Sequence, residues 1–135
     1  MAEAVFRRLA QLRGVEVEVK SAGTDAWRGS RASGSSQAAA AEIGADLSDF
    51  ESTPLTRELV AASDLIIGMT AGHRREILAR YPEAAGRVRL LLEFEGGTQD
   101  VSDPYGGSLD LYRFTLQAML PALENLLELV ENKQI

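Results

Sequence analysis

The stretch DLIIGM, Asp64–Met69, is apolar without alternation. A strand with one face in water alternates polar and apolar side chains. A strand that does not alternate must be covered on both faces, as a parallel strand between layers of helix is. Helical patterns stand on either side. A short one runs through Arg57 to Ala61, and another begins after Thr70, a good N-cap, and runs to about Arg80, where Tyr81 and Pro82 end it. A second apolar run, RVRLLL, Arg87–Leu92, follows as the next strand. Strand, crossover helix and strand in this order are the repeating unit of an α/β protein with a parallel sheet.

The remaining elements fit around that unit. MAEAVFRRLAQLRG, Met1–Gly14, reads as an amphipathic helix with Met1, Val5, Leu9 and Leu12 at helical spacing and Gly14 as its stop, and no strand, loop or cap stands before it. In VEVEVK, Val15–Lys20, three valines alternate with Glu16, Glu18 and Lys20, which predicts an edge strand with one wet face. Three strands are thus legible. Ser21–Ser36, rich in glycine and small polar residues, is a loop, and Gln37–Ile43 is an alanine-rich helix stopped by Gly44. After a long loop, EFEGGTQDVSDPYGG, Ser108 caps a final helix with Tyr112, Leu116, Met119, Leu123, Leu127 and Val130 on its buried face. Pro121, inside that pattern, is expected to kink or split it.

With 135 residues, 45% hydrophobic and 25% charged, residues 1–135 read as a single globular domain without internal repeats. A net charge of −6 argues against nucleic acid as a partner, because binding it needs a basic face. No apolar run approaches a bilayer span and the first residues lack the pattern of a signal peptide, so no membrane partner and a cytoplasmic location are expected. The cysteine count is zero, which removes disulfides, thiolate metal sites and any thiol nucleophile. His73 is the lone histidine and is read as a surface residue, so no metal is expected. GSRASGSS lacks the lysine and the strand context of a phosphate loop, and no cofactor is expected. Arg74 and Arg75 read as a solvated helix face, and Ser21 with Gly23 as residues that serve loop geometry.

Three stretches together resemble the low-molecular-weight protein-tyrosine phosphatase family. MAEAVFRRL is similar to the helix that follows that family's phosphate loop, SAGTDAWRG (Ser21–Gly29) to the exit of its second strand, and DVSDPYGG (Asp100–Gly107) to its general-acid loop. STPLTRELVAASDLIIGMT and DPYGGSLDLY bring the chain nearest the bacterial branch that includes protein-arginine phosphatases. The resemblance implies a three-layer, flavodoxin-like parallel sheet of order 2-1-3-4. In the family, a strand and a loop of pattern Cys-x5-Arg-Ser-Pro come directly before the residues that match MAEAVFRRL. Neither is in this sequence, so the chain is expected to be truncated at its N-terminus, by a start assigned too far downstream or by a cut there.

What the resemblance implies chemically is a two-step hydrolysis of phosphotyrosine or phosphoarginine on a protein substrate through a phosphocysteine intermediate. Asp103, held by Pro104, matches the general acid, which protonates the departing oxygen or nitrogen. Trp27 and Tyr105 match positions where flat rings line the substrate entrance, and Asp100 is read as a solvated or loop-stabilising carboxylate. Without the nucleophile loop the chain is expected to be inactive; the alternatives are a catalytically dead binding or regulatory module and an unrelated flavodoxin-like nucleotide binder. In the implied order the absent strand is an interior one. Its loss deprives buried backbone groups of partners at about 1–3 kcal/mol each, against a usual stability of about 5–15 kcal/mol. The chain alone is therefore expected to be unstable, unless Val15–Lys20 pairs directly with Asp64–Met69 or a partner chain fills the gap.

Overall fold

The longest apolar pattern in the sequence becomes the spine of the molecule. In a computed structural model that describes residues 1–24, 29–97 and 100–133, helix α5 spans Leu109–Glu131. The Ser108 side chain accepts a hydrogen bond from the Leu111 N–H (3.3 Å), satisfying one of the donors that a helix start leaves open. Tyr112, Leu116, Met119, Leu123 and Leu127 are all buried, as their spacing predicts. Of the kink or split expected at Pro121, the split does not occur, since the helix runs through it. Proline costs the helix one N–H, and the carbonyl deprived of it belongs to Gln117, which like Pro121 is exposed and can turn to solvent.

Around α5 the other elements follow in the order α1 (Ala2–Arg13), α2 (Gly34–Ala41), α3 (Arg57–Ala62), β1 (Ile66–Gly68), α4 (Ala71–Arg80) and β2 (Val88–Leu90). A 3-10 helix, Leu91–Glu95, follows β2 directly and contributes the fully buried Leu91. α1 buries Ala4, Val5, Phe6 and Ala10 against α5 and ends at Gly14, whose left-handed backbone (φ 68°) closes the last turn. α2 starts at Gly34, three residues before the sequence reading places it, because Ser33 serves as the cap and accepts from Ser36 N–H (3.1 Å). Its far end is tied to α5 by Arg113, whose Nε lies 2.9 and 3.0 Å from the two carboxylate oxygens of Glu42, while its Nη1 reaches Asp110 (2.8 Å). That fork holds the Glu42 carboxyl below its ordinary titration range.

β1 and β2 pair in parallel, with Ile66 opposite Val88, Ile67 opposite Arg89 and Gly68 opposite Leu90. α4 crosses between them, and a small second core of Val60, Ile77, Ala84 and Val88 forms where α3, α4 and β2 meet. This is the α/β layering expected from the sequence, with a small parallel sheet flanked by helices.

The strand count is a correction. Val15–Lys20 forms no ladder with any described segment, so the sheet has two strands where three were expected. Alternating valines specify a pleated, half-buried face, but a strand also needs a neighbour in register, and no described segment supplies one. The segment is held by other means. Val15 N–H donates to the Ala10 carbonyl (2.9 Å), Arg7 Nη2 donates to the Val19 carbonyl (2.7 Å), and the Val15 and Val19 side chains pack against the main core. RVRLLL likewise shortens to Val88–Leu90 before the 3-10 turn begins. No helix among the described residues is long and apolar enough to cross a membrane.

Candidate active site

In open α/β sheets, sites collect where the parallel strands end and their helices begin. β1 ends at Gly68, and the next three residues make that junction. The Met69 carbonyl accepts a hydrogen bond from Val101 N–H (2.8 Å), the Thr70 hydroxyl caps α4 by accepting from His73 N–H (3.0 Å), and Ala71 N–H donates to Asp100 Oδ1 (2.8 Å). The loop that contains the DPY motif is therefore anchored at the carboxyl end of β1. Val101 is buried in the same core against which Met1 and Ala2, at the start of α1, are packed. Asp100 is thus the loop-stabilising carboxylate that the sequence reading allowed for. Its partner lies 29 positions away, a pairing that no local pattern announces.

Beyond Val101 the chain turns into solvent. Asp103 is exposed, and its Oδ1 accepts from Tyr105 N–H at 3.0 Å, the short loop in which an aspartate side chain mimics a backbone turn. Gly107 N–H donates to the Pro104 carbonyl (2.7 Å) and closes the turn, with Gly106 in the left-handed region (φ 73°). Gly107 is required for space. A Cβ there would stand 2.5 Å from Leu111 Cδ2 and 2.8 Å from the Pro104 carbonyl oxygen. Gly107→Ala is accordingly expected to lower stability by about 1–3 kcal/mol and to displace the Tyr105 resonances, measured by urea denaturation and by amide NMR spectra.

The structure thus places Asp103 and Tyr105 together on one tight turn, with Tyr105 90% exposed. Trp27 lies outside the described residues. His73, Arg74 and Arg75 are exposed on α4, and no group of three or more potential metal-binding side chains occurs among the described residues. A shallow cleft between α1 and the 49–53 segment is lined by residues that include Glu3, Ser21, Asp49 and Glu51. Asp103 is not among them, and three carboxylates there outnumber the one ammonium group, that of Lys20. The turn at Asp103 presents its carboxyl group to solvent.

Residues 1–135 match the family model of the low molecular weight phosphotyrosine protein phosphatases. The chain belongs to this family. A protein-arginine-phosphatase of Bacillus subtilis (strain 168) is 35% identical to this phosphatase-family chain over 127 residues, 93% of this chain and 84% of that protein. A low molecular weight protein-tyrosine-phosphatase of Streptomyces coelicolor is 34% identical over 142 residues, 98% of this chain and 86% of the relative. Among solved structures, a YwlE mutant from Bacillus subtilis superimposes with a TM-score of 0.90 at 34% identity, covering 96% of this chain and 88% of that one. The YwlE arginine phosphatase from Geobacillus stearothermophilus gives 0.88 at 33% identity, over 98% and 84% of the two chains. The family that the three quoted stretches resemble is thus the family to which the chain belongs, and its helix-flanked parallel sheet is the fold of these structures.

Proposed function

We propose that these 135 residues carry the proton-donating half of a protein phosphatase, with Asp103 as general acid and Tyr105 and Trp27 beside the leaving group. The observation that supports this is the Asp103–Gly107 turn. It is an exposed carboxyl on a closed loop, tied to the end of β1, in a chain whose family hydrolyses phosphorylated protein side chains. When a nucleophile takes the phosphoryl group, the bond from phosphorus to the leaving oxygen or nitrogen breaks, and that atom needs the proton that a neutral Asp103 gives it. The resulting carboxylate then accepts a proton from the water that releases phosphate. The substrates are proteins bearing phosphotyrosine or phosphoarginine, in the cytoplasm.

The same 135 residues contain no cysteine, so no phosphocysteine can form on them. Incubated with p-nitrophenyl phosphate, the chain is expected to release p-nitrophenol no faster than buffer alone, and turnover above that background would overturn this part of the proposal. A second reading, a binding or regulatory module without turnover, is favoured by the lack of a thiol together with the exposed Tyr105 ring. The two readings part when a nucleophile loop is supplied, because only a proton donor gives Asp103 a measurable role in the rate.

A further inference from the structure

The acid loop leaves the core at Val101 and re-enters it at α5, and an exposed segment of this kind is ordinarily among the first parts of a fold to move. Two hydrogen bonds oppose that motion, and they bracket one residue. The Met69 carbonyl and the Ala71 N–H lie on either side of Thr70 and bind Val101 N–H and Asp100 Oδ1, each at 2.8 Å. A single bond would leave a hinge, whereas two bonds to consecutive loop residues fix direction as well as position. The Asp100 bond has the stronger chemistry of the pair. Its acceptor is a carboxylate at the start of a ten-residue helix, where the open N–H groups and the helix dipole favour negative charge. Thr70 already serves the His73 N–H, so Asp100 takes a second donor of the same turn rather than competing for the first.

We infer that Asp100 is a positioning residue. It locks the acid loop to the first turn of α4 and thereby holds the turn in which Asp103 accepts from Tyr105 N–H, so that α4 and the acid carboxyl keep one geometry. The inference rests on the reading of Asp103 as the proton donor, but its test reads no turnover. A failure here leaves that reading standing, and an inactive chain leaves the test intact.

An amide proton bonded to a carboxylate shifts as that carboxylate is protonated. In the full chain the Ala71 amide therefore reports on Asp100 and the Tyr105 amide on Asp103, both followed by NMR through a pH titration. In Asp100→Ala the amplitude of the Tyr105 response is expected to fall at least about twofold, as expected when a charge-assisted tether is lost. In Asp100→Asn the carboxamide oxygen accepts the same bond. The Ala71 response should vanish there while that of Tyr105 stays as in the parent chain. A Tyr105 response unchanged in Asp100→Ala would overturn the inference. So would an Asp100→Asn response as weak as that of the alanine variant, because the bond accepted at Oδ1 would then not be what holds the turn.

Discussion

Leu127→Ala is expected to lower the free energy of unfolding by about 2–5 kcal/mol. Leu127 is fully buried on α5, in the core that also holds Val5 and Phe6 of α1 and Leu91. The two-residue-deep logic of a large sheet is not available here, since the only ladder among the described residues joins two strands of three residues each. Packing of helices against α5 therefore carries most of the stability, and truncation removes the transfer free energy of the lost methyl groups and leaves a cavity as well. Domains of ordinary size are stable by about 5–15 kcal/mol, so the loss is a large share of the total and the variant should have a sharply reduced urea midpoint by circular dichroism. Leu12→Ala is the control. Leu12 lies on α1 but is 65% exposed, and its truncation should change stability by no more than about 0.5 kcal/mol.

The largest expected effect on rate concerns Asp103. When the chain is joined before Met1 to the strand and Cys-x5-Arg-Ser-Pro loop of a relative, phosphatase turnover is expected, and Asp103→Asn should reduce it by about 10²–10⁴-fold. Asparagine keeps the oxygen that accepts from Tyr105 N–H, so the turn is preserved and only the proton is withdrawn. A substitution that destroyed the loop would confound geometry with chemistry. The asparagine variant separates them, and a Tyr105 amide resonance that matches the one the parent chain shows at low pH, where Asp103 is protonated, would verify that the turn survives. A binding module, by contrast, would show little or no dependence on the Asp103 proton.

The parts of the fold that were legible in the sequence are those whose partners are close along the chain. The α5 face, the Ser108 and Thr70 caps, the Gly14 stop and the packing of Ile66 and Ile67, both partly buried, against different cores all follow from periodicity, cap chemistry and backbone sterics, which act within a few residues. Val15–Lys20 forms no ladder because alternation describes one segment while pairing depends on two. At Pro121 the helix is not split, because the one N–H that proline lacks is a small loss for a 23-residue helix packed along the core. At the site, the DPYG turn could be read directly, whereas the space that Gly107 leaves for Leu111 and the Pro104 carbonyl is visible only in the folded chain. The anchors at Met69 and Ala71 join segments about 30 positions apart, and only the folded chain brings them together.

The role of Asp103 is tested most directly by comparing two leaving groups on the loop-joined chain and its Asp103→Asn variant. Phenyl phosphate expels an oxygen that badly needs a proton, whereas p-nitrophenyl phosphate expels one whose anion is already stable. A general acid matters more to the first. The expected result is a much larger loss of kcat for phenyl phosphate than for p-nitrophenyl phosphate in the variant. Equal losses on both substrates, or no loss on either, would contradict the assignment of Asp103 as the proton donor.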